Sequence, residues 1–147
     1  MSKESRNFRI NWLEEPEEHD FPAAYSYLRL FYDERTAAKY VDKLRLAPIS
    51  EFKAKDIFRA SGLSLLGISN SHVEKDKRKI ESGKELSPLL LVRDTNNGRV
   101  IIADGYHRLC AIYLFDEDVV IPCKIAWFAD LKKAILIFGI NIYLYLL

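Results

Sequence analysis

Apolar positions recur at helical spacing through residues 20–46, with Tyr25, Leu28 and Phe31 or Tyr32 on one side, then Ala37, Tyr40, Val41 and Leu44. Asp20 and Pro22 form an N-cap and first-turn pair, and Asp33 is placed to cap a second helix. Pro48 closes this part, so the pattern predicts a helical hairpin or a bent helix. Residues 1–19 carry an acidic cluster at Glu14, Glu15, Glu17 and Glu18 and read as loosely ordered.

The period then shortens. Residues 49–54 fit a short strand, and Asp56 is placed to cap a helical turn over 57–60 that Gly62 stops. Residues 62–71 form a loop with two glycines, after which Ser71 caps a helix over 72–82 that ends at Gly83. The run PLLLVR at 88–93 is a buried strand, Asn96-Asn97-Gly98 is a turn, and 99–103 is the next strand. A helix follows over about 106–115, then a polar turn at 116–118 and a last strand over 119–127. Pro122 inside that strand argues for an edge or a bulge. Helices followed by strand, helix, strand, turn, strand, helix and strand describe an α/β or α+β domain.

Composition narrows the class only a little. A chain of 147 residues, 49% hydrophobic and 29% charged, suits one domain with its own core. A formal net charge of +1 gives no global basic field, so nucleic acid is not favoured as a partner. Cys110 and Cys123 sit in core-like segments and form neither a disulfide framework nor a zinc pattern. With a polar N-terminus that lacks a hydrophobic targeting core, they point to the cytoplasm. Residues 134–147 are almost wholly apolar but shorter than the roughly 20 residues of a membrane helix. A buried or homodimer-forming segment is the first reading of them, a tail unshaped by selection the second and a weak membrane anchor the third.

The chemistry concentrates at Asp104-Gly105-Tyr106-His107-Arg108. An apolar strand breaks at Asp-Gly and a helix opens at once. The first amides of a helix lack internal partners, and glycine lets a phosphate approach them. Arg108 can hold phosphate oxygens with its fork, or simply pair with a carboxylate. His107 can contact a phosphate or relay a proton, or be structural. Asp104 can act as a base, hold a metal, or cap the helix. On the preceding helix, His72, Lys75 and Lys79 share one face, whereas Lys77 and Arg78 read as solvated. Lys53, Lys55 and Asp56 form a weaker cluster, and Trp12 and Trp127 read as core or interface.

Residues 49–126, with the motif D-G-Y-H-R at 104–108 and a closing strand containing IPCKI, resemble the ParB/sulfiredoxin-like superfamily. The motif is similar to G-E-R-R in ParB proteins, G-G-C-H-R in sulfiredoxins and D-G-H-x-R in free serine kinases of that fold. The segments at 52–56, 72–76 and 103–111 also look like an uncharacterised bacterial branch. The resemblance implies an α+β domain with a small mixed sheet at 49–128, a helical extension at 1–48 and an apolar tail at 129–147. It also implies a nucleotide-binding protein that transfers or hydrolyses a phosphoryl group, with Mg²⁺ accompanying ATP, ADP or CTP. Asp104 and His107 would be catalytic, and Gly105, His107, Arg108, Lys75 and His72 would bind the nucleotide. Tyr106 stands where sulfiredoxin needs its reacting cysteine, which argues against sulfinic acid reduction. Residues 129–147 are too few for the helix-turn-helix domain of centromere-binding ParB proteins. A nucleic-acid-acting module, nuclease or binder, and a non-catalytic interaction protein are the competing classes.

Overall fold

A computed structural model describes residues 9–128. The elements in order are α1 (Asp20–Leu28), α2 (Glu34–Leu46), β1 (Ser50–Lys53), α3 (Ala54–Ser61), α4 (Ser71–Glu81), β2 (Leu89–Asp94), β3 (Arg99–Asp104), α5 (Tyr106–Phe115) and β4 (Val120–Ala126). The four strands form one mixed sheet in the order β1-β4-β2-β3. β1 and β4 are antiparallel, β2 and β4 parallel, and β2 and β3 an antiparallel hairpin. The chain is thus an α+β domain. Among the described residues no helix is long and apolar enough to cross a membrane.

Strand alternation divides the core. Leu89, Leu91, Ile102, Ile121, Cys123 and Ile125 face α3, α4 and α5. Leu90, Val92, Ile101, Ala103 and Ala126 face α1 and α2. Both sheet faces are therefore covered, which is why PLLLVR reads as continuously apolar. The N-terminal helices supply one whole layer, with Leu28, Ala37 and Leu44 fully buried beneath them.

Several local expectations change. Asp33 caps α2 by accepting from the Thr36 amide at 2.7 Å. Asn70, not Ser71, caps α4, its side chain accepting from the amides of His72 and Val73. Asp56 lies in the first turn of α3 and pairs with Arg59 at 3.9 Å, while Lys53 is the capping position. Lys55 pairs with Asp118 at 2.5 Å, which makes that cluster a fastening of α3 to the turn before β4. Pro122 sits in an internal strand: it opposes Glu51, and pairing with β2 begins one residue later, at Leu89 and Cys123. The proline thus occupies the strand before its second ladder starts, where a missing N–H costs little. Residues 9–19 are not loose, because Asn11 and Leu13 exchange backbone hydrogen bonds with Leu86 at 2.8 and 2.9 Å. Their acidic side chains find partners, Glu15 on the buried Lys124 at 2.8 Å and Glu18 on Arg45 at 2.7 Å.

Both cysteines are free and buried, and burial pushes the Cys123 thiol up to about 12. Trp12 packs against the larger core, while Trp127 is half exposed under the Arg93 guanidinium, 4.7 Å from its ring. The apolar segment at 134–147, with the homodimer reading attached to it, lies outside the described residues.

Candidate functional site at the Gly105 turn

β3 ends at Asp104 and α5 begins at Tyr106, so one residue turns the chain from sheet to helix. That residue is Gly105, at φ 106°. A β-carbon there would lie 2.8 Å from Leu89 Cγ and 2.9 Å from Arg108 Nη2. Left-handed backbone and lack of space both require glycine. Leu109 donates the first closing hydrogen bond to the Gly105 carbonyl at 2.9 Å. The amides of Tyr106, His107 and Arg108 have no acceptor among the described residues, as expected for a helix opening.

Arg108 turns back beneath this junction. Its Nη2 donates to Asp104 Oδ2 at 3.1 Å and to the Pro88 carbonyl at 3.3 Å, and lies 3.7 Å from Asp20 Oδ2. The side chain is 16% exposed, and its Nε is buried without a hydrogen-bond partner among the described residues. Asp20 is 3% exposed and also accepts from the Ser87 hydroxyl. Ser87 Oγ in turn accepts from the Glu17 amide at 3.1 Å. Asp20 is therefore no N-cap. His19 holds that position, and Asp20 reaches inward from the first turn of α1 to the guanidinium. Burial raises the Asp104 carboxyl to about 6; Arg108 pulls it down and the Asp20 carboxylate pushes it up.

In front of this knot lies an open cleft of about 160 Å³ between the turn and α4. His72, Lys75, Asp76 and Lys79 line it from α4, and Asp104 to Arg108 from the turn. The i, i+3, i+7 spacing of His72, Lys75 and Lys79 thus does put one face of α4 towards the motif. The His72 and His107 rings lie 4.8 Å apart at 36°. Neither imidazole has a hydrogen bond to the described residues. Burial lowers the pKa of His107, the neighbouring His72 adds to that, and Asp76 opposes it. Burial raises the Asp76 carboxyl, with Arg108 and Lys79 pulling against the shift. Lys77 and Arg78 instead pair with Glu81 and Glu74 on their own helix, at 3.6 and 2.5 Å.

The same turn also borders a second pocket of about 300 Å³, bounded by Tyr27, Leu63 and Tyr106. Asp104, Gly105, Tyr106 and His107 border both spaces. Tyr106 is fixed by donating its hydroxyl proton to the Ser64 carbonyl.

The six residues singled out from the sequence therefore surround one place. Asp76, Asp20 and Ser87 were not among them. Asp76 is legible afterwards as the i+4 neighbour of His72 on the same helical face. Asp20 and Ser87 carry no sequence signal, because only the packing of α1 on the sheet brings them to Arg108. A cluster of Glu17, His19 and Asp20 also has metal-ligating groups close together, but His19 already contacts both carboxylates, at 3.0 and 3.3 Å. Comparison of the chain with protein families, curated proteins and solved structures gives no match.

Proposed function

We propose that this protein binds a nucleotide at the Gly105 turn and transfers or hydrolyses a phosphoryl group, on a domain of ParB/sulfiredoxin-like type. One observation carries the reading: the turn borders both a cleft in which Lys75, Lys79, Arg108 and two histidines outnumber Asp76 and Asp104, and a pocket lined mainly by aromatic and apolar side chains. A nucleotide has the matching halves. The base packs against Tyr27, Leu63 and Tyr106, where flat rings give area and stacking. The phosphates lie in the cleft against Lys75, Lys79 and the amides of Tyr106 to Arg108, with His72 and His107 adding donors.

Arg108 has a different part from the one its type suggests. Its fork is fastened by Asp104, Asp20 and Pro88, so it holds the turn and lends positive charge to the cleft edge. Asp104 borders the cleft with a carboxyl near 6, which suits a group that accepts a proton close to neutrality. His107, held towards its neutral form, is a second proton acceptor. Catalysis would rest on positioning and charge stabilisation, as it does in phosphoryl transfer generally.

Mg²⁺ is a poor fit as a resident ion. A protein-held Mg²⁺ needs charged carboxylate oxygens. Here Arg108 takes one oxygen of Asp104, and most of the other charged groups lining the cleft are cations. Two free, buried thiols are compatible with the cytoplasm, and we place the activity there. Calorimetric titration with ATP, ADP and CTP, each with and without Mg²⁺, tests the reading. Binding of at least one is expected, and no heat from any at millimolar concentration would contradict it.

A further inference from the structure

A third space adjoins the cleft. It is an open groove of about 530 Å³ along α4, lined by Lys75, Lys79, Lys84 and Arg78, by the Glu74 carboxylate that pairs with Arg78, and by two serines. Lys75 and Lys79 border both groove and cleft, whereas the groove shares no residue with the aromatic pocket. The three spaces therefore form a series: aromatic pocket, cationic cleft, basic groove. Three lysines mark it, Lys75, Lys79 and Lys84; none forms an ion pair within 4.0 Å among the described residues, and Lys75 and Lys79 act on the Asp76 carboxyl only at longer range. On the same helix Lys77 and Arg78 are paired with glutamates. Charge on this face is thus sorted, with cations in ion pairs beside lysines that have none. Elsewhere among the described residues Arg29, Arg45, Arg99 and Lys124 are each paired with a carboxylate.

The groove is over three times the volume of the cleft, more than the phosphates of a mononucleotide need. From Lys75 to Ser82 the helix rises about 10 Å. A stacking surface at one end of an open basic track is the arrangement that single-stranded nucleic acid fits: bases stack on rings and the backbone follows the cations. An acidic peptide would use the lysines but has nothing to place against Tyr27 and Tyr106.

We propose that the nucleotide held at the Gly105 turn is the end residue of a single strand of nucleic acid, whose next phosphodiesters run along α4 over Lys75, Lys79 and Lys84. This rests on the nucleotide reading above and names its substrate class. Lys84 separates the two. It lies outside the cleft, is exposed, and contributes only a backbone hydrogen bond to Lys79 at 3.0 Å, which alanine retains.

The test measures binding of the full chain to ATP, to oligothymidylates of roughly two and eight nucleotides, and to an oligoglutamate peptide, over a range of salt. The longer strand is expected to bind at least about tenfold tighter than the shorter one, with a log–log salt slope near −2 for three lysine contacts. Lys84→Ala is expected to weaken the longer strand about three- to fivefold, reduce that slope by about 0.7, and leave ATP binding unchanged. ATP binding without any gain from strand length, or the same strand affinity in Lys84→Ala, overturns this inference and leaves the nucleotide reading standing. Oligoglutamate binding as tightly as the longer strand also overturns it. Binding of neither ATP nor strand removes both.

Discussion

Arg108 and Lys75 border the same small cleft, one from α5 and one from α4, yet they are held on opposite terms. The arginine is mostly buried and anchored to two carboxylates and a carbonyl. The lysine is exposed and forms no ion pair within 4.0 Å among the described residues. Behind the turn, charge is taken out of water and must be paired to be tolerated. In front of it, charge stays solvated and is free to meet a ligand. The arginine of the motif is therefore the cation the fold has fastened, and the cations free to act, Lys75 and Lys79, lie on a helix 33 and 29 positions earlier in sequence.

The contrast breaks most severely at Arg108 itself. Arg108→Ala leaves the Asp20 and Asp104 carboxylates facing each other without a cation. It should cost about 3–5 kcal/mol in denaturant unfolding. A loss below about 1 kcal/mol would mean that the knot behaves like a surface pair. Gly105→Ala comes next. A methyl group would collide with Leu89 Cγ at 2.8 Å and with the guanidinium while the backbone stays left-handed, for a loss of about 2–4 kcal/mol. Unfolding midpoints report both variants, and a neutral Gly105→Ala would show that the turn can relax.

A pH series sharpens the comparison with a smaller effect. The folded Asp104 carboxyl keeps its proton up to about 6, whereas an unfolded aspartate releases it near 4. The folded chain therefore binds more protons in this window, and the contribution of Asp104 to stability falls as pH rises from about 4 to about 6. The whole change is at most about 3 kcal/mol. Asp104→Asn should flatten that part of the stability curve, and an unchanged slope in the variant would assign it to other groups. The smallest structural effect belongs to the front of the turn. Lys75→Ala, at an exposed position, should alter stability by less than about 0.5 kcal/mol, and His107→Ala, at a half-buried one, by about 1 kcal/mol, each weakening nucleotide binding several-fold. If either unfolds the protein like Arg108→Ala, the distinction between anchored and free charge fails.

Much of this layout is legible in the sequence, for physical reasons that differ by element. The helix at Tyr106–Phe115 is marked at both ends, by the Gly105 turn and by Asp116, so its limits follow from local signals. The hairpin of β2 and β3 is set by Asn96-Asn97-Gly98, with Gly98 at φ 63°. The cleft face of α4 follows from helical period alone. What local signals miss depends on tertiary packing. Asp20 looks like a cap because aspartate is a strong N-cap residue and Pro22 fits the first turn after it, but the packing of α1 on the sheet carries it inward. Pro122 looks like an edge residue because a proline lacks a ladder donor, but the order β1-β4-β2-β3 places it ahead of its second partner. Asn70 rather than Ser71 caps α4, a one-residue choice between two competent side chains.

The central claim is that the cleft between α4 and the Gly105 turn receives the phosphates. It is tested most directly by following amide and imidazole resonances while ATP is added. Saturable shifts are expected at Gly105, Tyr106 and His107, at Lys75 and Lys79, and in the ring protons of His72 and His107, with the Asp20 and Ser87 amides moving little. Absence of shifts at those positions at millimolar nucleotide, or shifts confined to another surface, would contradict it.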